Sequence, residues 1–149
     1  MEIRSLLADK GVAWELQFSE ILSFIQRFGR KVISTENYRI LRKLSPRDLD
    51  TPGTSLLVAT IKTEDGERIA GVSCVTSYGK GICLVVVHSL YRGTGLGSKL
   101  LMNQLSTLGR LSCRVTLSNI SSLQMCFHAG LSARGIVKGL NGKTLLLLE

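Results

Sequence analysis

Residues 85–101 read VVVHSLYRGTGLGSKLL: a valine run, three glycines within five positions, then leucines at helical spacing. A chain written this way leaves a strand, exposes bare backbone and enters a helix. Glycine brings main chain close to a ligand with no Cβ in the way. The unpaired N–H groups of a helix's first turn, at the positive end of its dipole, attract anions. Arg92-Gly93-Thr94-Gly95-Leu96-Gly97 is therefore read as an anion site suited to a diphosphate. Two other phosphate loops fail to fit. A Walker loop needs Lys before Ser or Thr after its last glycine, and Gly97 is followed by Ser98-Lys99. A dinucleotide fingerprint needs a third glycine where Ser98 stands, and nothing acidic lies near residue 118 to hold a ribose.

Upstream, SLLVATIKT from Ser55, RIAGVSCVTS from Arg68 and ICLVVVH from Ile82 are separated by Glu64-Asp65-Gly66 and Tyr78-Gly79-Lys80-Gly81. This pattern predicts three consecutive antiparallel strands. Downstream, the leucines predict a helix over 95–108 closed by Gly109. A strand follows over 113–118, then a helix over 121–128 started by a Ser121-x-x-Gln124 capping box and ended at Gly130. Segments 133–138 and 143–148 flank Leu140-Asn141-Gly142, whose Asn-Gly pair predicts a hairpin. Before the strands, Trp14, Phe18, Ile21, Leu22, Ile25 and Phe28 predict an amphipathic helix over 13–28. A second helix runs from a cap at Thr35-Glu36-Asn37 to about Leu44, where Ser45-Pro46 stops it, and 49–54 reads as loop. Ile3, Leu6 and Leu7 supply either a short strand or a helical turn.

With 149 residues, 44% of them hydrophobic, the chain is expected to form one domain without disulfides or metal. No run approaches the ~20 apolar residues of a membrane span, and the charged start MEIRSLLADKG lacks the apolar stretch of a leader, so a cytoplasmic location is expected. Cys74, Cys83, Cys113 and Cys126 are widely spaced, with only His88 and His128 to join them, and read as reduced buried thiols, with no metal site. The net charge of +8 is spread along the chain and suits an anionic ligand, a phosphorylated cofactor or nucleic acid.

The glycine stretch and its surroundings resemble the GNAT superfamily of N-acetyltransferases. Arg92, Gly95 and Gly97 fill its Q/R-x-x-G-x-G/A motif, and Val87-His88-Ser89-Leu90-Tyr91 is similar to its V-H-P-x-Y lead-in with Ser in place of Pro. Asn119 stands at its post-strand asparagine, and Gly130-Leu131 resembles its late G-F pair. The likeness covers residues 55–149, while 1–54 match only as one or two helices before the sheet. It implies an α/β (α+β) domain with a central, mostly antiparallel sheet splayed at the acetyl-CoA site and flanked by helices. Residues 1–54 would then be the helical N-terminal part and 55–149 the cofactor-binding core.

By the same resemblance, the backbone of Val85, Val86 and Val87 pairs with the pantetheine arm of acetyl-CoA. Gly93, Thr94, Gly95, Leu96, Gly97 and Ser98 offer amides to its pyrophosphate, with Arg92 and Lys99 adding charge and Asn119 completing the site. The implied activity is transfer of acetyl to a primary amine by direct attack in a ternary complex. Family members often use a tyrosine of the last helix as proton donor, and the matching residue here is Cys126; that departure leaves the acid unassigned. His88 is the other titratable candidate, with a structural role as its competing assignment. Glu64, Asp65 and Glu67 read as solvated turn residues, and His128 as a helix C-terminal cap.

No motif encodes the acceptor. A small molecule or a protein amine is slightly favoured. An amine carried on nucleic acid such as aminoacyl-tRNA fits the basic residues Arg27, Arg30, Lys31, Arg39, Arg42, Lys43 and Arg47, and a CoA-binding domain without turnover is a third possibility. A membrane partner is not expected, and the oligomeric state is open, a homodimer included.

Overall fold

A computed structural model describes residues 1–6 and 13–149; Leu7 of the N-terminal apolar trio lies outside the described residues. The chain opens with strand β1 (Glu2–Ser5), one of the two forms its apolar residues allow. Helices α1 (Trp14–Phe28) and α2 (Thr35–Arg42) follow as the periodicity predicts. The cap of α2 is Ser34, one residue before the predicted group: its Oγ accepts from the Asn37 amide at 3.1 Å. Ser45-Pro46 does more than stop a helix. Pro46 opens the single turn α3 (Pro46–Leu49), where the Asp48 carboxylate accepts from the Ser45 amide at 2.8 Å. Proline suits both the end of one helix and the first position of the next.

Strands β2 (Ser55–Thr63), β3 (Gly66–Val75) and β4 (Cys83–Val87) form the predicted antiparallel set, and β1 adds to β2 to give the order β1-β2-β3-β4. Helix α4 (Leu96–Leu108) leads to β5 (Cys113–Thr116), and α5 (Ile120–His128) leads to the hairpin of β6 (Ala133–Lys138) and β7 (Thr144–Leu148). Asn141 and Gly142 take the positive φ values, 69° and 72°, that let this hairpin close. The helix after β5 starts earlier than its Ser121 box predicts: Asn119 is the cap, its Oδ1 accepting from the Ser122 amide at 3.2 Å.

The second sheet has the order β5-β7-β6, and among the described residues no ladder joins it to the first. Helix α1 covers one face of the four-stranded sheet, where Phe18, Ile21, Phe24 and Ile25 pack on Val72, Leu84 and Val86. Helix α4 covers the other face through Leu96 and Leu100 against Leu57, Ala59 and Ala70. A third cluster joins the C-terminal half of α4 to α5 and the second sheet through Leu101, Cys126 and Leu148. The fold is mixed α and β, with antiparallel sheets flanked by helices. Among the described residues no helix is long and apolar enough to cross a membrane.

Candidate functional site

Strands β4 and β5 are each the last strand of their sheet, and their beginnings meet. The Cys83 and Cys113 sulfurs lie 3.1 Å apart, and just before them the Ser112 amide donates to the Tyr78 carbonyl at 2.8 Å. Beyond that apex no ladder forms between the two strands, so a wedge with an unpaired β4 edge separates the sheets. Val86 turns to α1, while Val85 and Val87 face the α4 side, half-buried. All three valines are thus at the wedge, with their backbone on its rim.

The glycine loop stands at the open end. Gly93 and Gly95 have φ of 77° and 83°, a conformation that L side chains rarely adopt, and a Cβ on either would meet nothing within 4 Å. Gly95 caps α4, and the first helical bond runs from Lys99 to its carbonyl at 3.1 Å. Among the described residues no group accepts from the amides of Leu96, Gly97 and Ser98. The loop's side chains, by contrast, are turned onto the protein. Thr94 Oγ1 donates to the Tyr91 carbonyl at 2.5 Å, and Ser98 Oγ to the Met125 carbonyl at 3.2 Å. Arg92 Nε donates to the Val87 carbonyl at 3.3 Å and its Nη2 to the Phe28 carbonyl at 3.1 Å. What remains for a ligand is backbone N–H and helix dipole, the chemistry that receives phosphate oxygens.

Gly97 has a different constraint from its neighbours. Its backbone is helical, and a Cβ there would stand 2.6 Å from Met125 Sδ. The glycine is required by the approach of α5, whose Met125 the sequence pattern did not point to. Asn119 sits after β5 with its side chain engaged as the α5 cap, which leaves it exposed at the opposite wall of the wedge.

The two titratable candidates lie in different surroundings. His88 follows β4: its Nδ1 accepts from the Leu90 amide at 3.1 Å, and its ring lies 4.2 Å from the Phe28 ring. Loss of hydration, then the charges of Arg68, Arg27 and Arg92, hold its pKa below the ordinary value. With Nδ1 accepting, neutral His88 carries its proton on Nε2. Cys126 is 2% exposed, and its hydrogen bond with Cys113 and its burial push its thiol well above the usual range. Among the described residues no group of three or more His, Cys, Asp or Glu is placed to hold a metal ion. The broad groove of about 530 Å³ beside Trp14, Phe18 and Tyr38 lies along α1 and α2 and shares no residue with the glycine loop.

A strand, a glycine loop whose amides face outward and a helix between two splayed sheets define a family, and the model of the acetyltransferase (GNAT) family matches residues 18–126. The chain belongs to that family. As a GNAT member it is an N-acetyltransferase, and acetyl-CoA is the cosubstrate of the family. A comparison with curated proteins gives no match. Among solved structures, a ribosomal-protein-alanine N-acetyltransferase from Brucella melitensis is similar with a TM-score of 0.65 at 18% identity, over 99% of this chain and 98% of that one. A variant of the spermidine N-acetyltransferase SpeG from Vibrio cholerae gives 0.64 at 12%, over 99% and 93%. The aminoglycoside acetyltransferase AAC(6')-Ib, in complex with coenzyme A and kanamycin, gives 0.56 at 16%, over 99% and 92%. At these identities the likeness is one of fold, and the three names carry three different acceptors.

Proposed function

We propose that residues 1–149 act as one acetyltransferase domain that binds acetyl-CoA in the β4/β5 wedge and transfers its acetyl group to a primary amine by direct attack in a ternary complex. The unaccepted amides of Leu96, Gly97 and Ser98 at the open end of the wedge carry this reading. Gly93, Thr94 and Gly95 shape the approach for the pyrophosphate, and Arg92 adds charge while its hydrogen bonds hold the loop to β4 and α1. The unpaired edge formed by Val85, Val86 and Val87 suits the amides of a pantetheine arm, and Asn119 closes the other side. The bound thioester supplies the acetyl group. The chain holds the amine beside it and excludes water, which contributes much of the rate by proximity alone.

A neutral amine is needed for attack, so a proton must leave it. His88 suits that step better than Cys126: its lowered pKa keeps it neutral near pH 7, with its ring at the wedge mouth. The position of Cys126 inside a sulfur cluster supports a packing role. Four free cysteines, three of them buried, support work in a reducing cytoplasm.

The test is thermal unfolding with CoA and acetyl-CoA. At a hundredfold excess over Kd a ligand specific for the native state stabilises by about 2.7 kcal/mol, a rise of roughly 5–10 °C for a chain of this size. Gly95→Asp, which sets a carboxylate among the amides, removes the rise. No rise at saturating CoA overturns the proposal.

A further inference from the structure

The loop before β4 and the start of β5 are pinned together at the closed end of the wedge. The Arg110 guanidinium lies 4.1 Å from the centre of the Tyr78 ring, and the Ser112 amide donates to the Tyr78 carbonyl at 2.8 Å. Gly79 comes so close that a Cβ on it would run into the Ser112 carbonyl. Next along both segments, the Cys83 and Cys113 sulfurs stand 3.1 Å apart. Contacts of their neighbours thus hold this pair together, and both thiols are free. An approach of about 1 Å would bring the sulfurs to bonding distance.

Access to the thiols differs. Cys83 is half-buried, whereas Cys113, Cys126 and Cys74 are 3%, 2% and 0% exposed. A reagent from solvent therefore meets Cys83 first, with Cys113 directly behind it. A group attached to Cys83 stands on the same side of β4 as Val85, at the narrow end of the wedge. Cys74 is remote from this chemistry, packed on the face of the sheet that α1 covers.

We propose that Cys83 and Cys113 are an exchange pair for disulfides of small thiols: Cys83 takes up the incoming thiol, and Cys113 releases it by closing a bond between β4 and β5. In the first step the Cys83 thiolate attacks one sulfur of the reagent. A mixed disulfide forms, the reagent's own S–S bond breaks, and its other half leaves as a thiolate that takes up the proton Cys83 gave up. In the second step Cys113 attacks Cys83 Sγ, and the attached thiol departs with the Cys113 proton. Two cysteine thiols are oxidised and one small disulfide is reduced to two thiols. The environment of Cys113 suits this order. Its hydrogen bond with Cys126 lowers its pKa, but the bond with Cys83 and burial outweigh that and hold it above the usual range. Once Cys83 is in a mixed disulfide its thiol proton is gone, while Cys126 remains beside Cys113 as a donor to the thiolate. The outcome is a wedge cleared of the adduct and fastened at a junction that no ladder supports. That consequence rests on the assignment of the wedge to CoA; the exchange itself does not.

The test exposes the whole chain to excess glutathione disulfide or, in a second arm, coenzyme A disulfide, then alkylates free thiols and maps linkages by mass spectrometry without reductant. A Cys83–Cys113 linkage that dithiothreitol removes is expected in both arms. Because it joins positions 30 residues apart, a rise in melting temperature of about 5–15 °C accompanies it. A linkage formed about tenfold faster with coenzyme A disulfide assigns the wedge ligand as the source, and equal rates assign small disulfides in general. Oxidised Cys113→Ala is expected to stop at a mixed disulfide on Cys83 and to lose about tenfold or more in CoA affinity, while the oxidised parent stays within about twofold of its reduced form. Linkage of Cys113 to Cys126, or a Cys83–Cys113 linkage that forms only in urea, overturns the pair. If the linkage forms but the oxidised alanine variant binds CoA as well as the parent, the clearing of the wedge is overturned. If the reduced parent does not bind CoA, the cofactor assignment falls, and the mapped linkage alone decides the pair.

Discussion

Gly95 and Gly97 belong to one motif, yet the structure gives them different reasons to be glycine, and a double-mutant cycle with Met125 separates those reasons. Gly97 is in the first turn of α4, where alanine gains up to about 1 kcal/mol of helix propensity. Against that gain, the new methyl would stand 2.6 Å from Met125 Sδ, well inside normal contact. Overpacking of this kind costs about 1–3 kcal/mol, so Gly97→Ala alone is expected to lower stability by about 0–2 kcal/mol. In a Met125→Ala background the obstacle is gone and the same substitution becomes neutral or stabilising. The expected coupling is about 1–3 kcal/mol. Gly95→Ala behaves differently. No atom lies within 4 Å of its Cβ, so its cost is the left-handed backbone alone, about 1–2 kcal/mol whether or not Met125 is present. Urea unfolding followed by the fluorescence of Trp14, the one tryptophan, measures all the corners of both cycles. Equal effects of Gly97→Ala in the two backgrounds would refute the assignment of Gly97 to helix packing.

Three further outcomes are expected. Gln104, fully buried on α4, donates to the Ser55 and Ser73 carbonyls at 3.3 and 3.1 Å, so Gln104→Leu is expected to cost about 1–3 kcal/mol in urea unfolding, and a stabilised variant would show that its unpartnered Oε1 outweighs those bonds. Because the folded chain holds the His88 pKa below its ordinary value of about 6.5, the unfolded chain takes up the proton first, and stability falls as pH drops through that value. His88→Asn, which keeps an acceptor for the Leu90 amide, should lose less stability than the parent between about pH 7.5 and about pH 5.5, and identical pH profiles would exclude this contribution. Burial pushes the Cys74 thiol up to about 12, whereas Cys83 is half-buried, so iodoacetamide is expected to label Cys83 first and Cys74 only after unfolding, as read by mass spectrometry; equal labelling in the folded chain counts against that burial.

The parts of the site that could be read from the sequence are those governed by neighbours along the chain. The alternation of β2 to β4, the leucine spacing of α4 and the glycines before it each express a local rule, and each element lies where that rule puts it. Errors arose where one residue satisfies two rules. Pro46 ends α2's neighbourhood and also begins α3, and Ser121 offers a capping box while Asn119, two residues earlier, is already the acceptor for the Ser122 amide. The contacts that fix the loop in space had no local signal. Arg92 reaches a carbonyl 64 residues away, and Gly97 is constrained by a methionine of another helix, so a glycine placed for packing looked like one placed for phosphate.

The same distinction explains how the two strand edges that face the gap, β4 and β5, avoid becoming a template for aggregation. Open edges invite pairing with other chains, and native proteins blunt them by shortness, twist or cover. Here β4 has five residues and β5 four, and the helices that follow them, α4 and α5, meet above the gap where Ser98 bonds to Met125 and Gly97 admits its side chain. At the apex two cysteines, small and apolar, let the strands touch, while nothing in the ladder pulls the remaining residues together. Shortness and this cover blunt the edge, and under the proposed function it has room for the few amides of a pantetheine arm. Close packing of α4 on α5, with the Met125 carbonyl accepting from Ser98 and its side chain against Gly97, thus holds the start of α4 in place beside the gap.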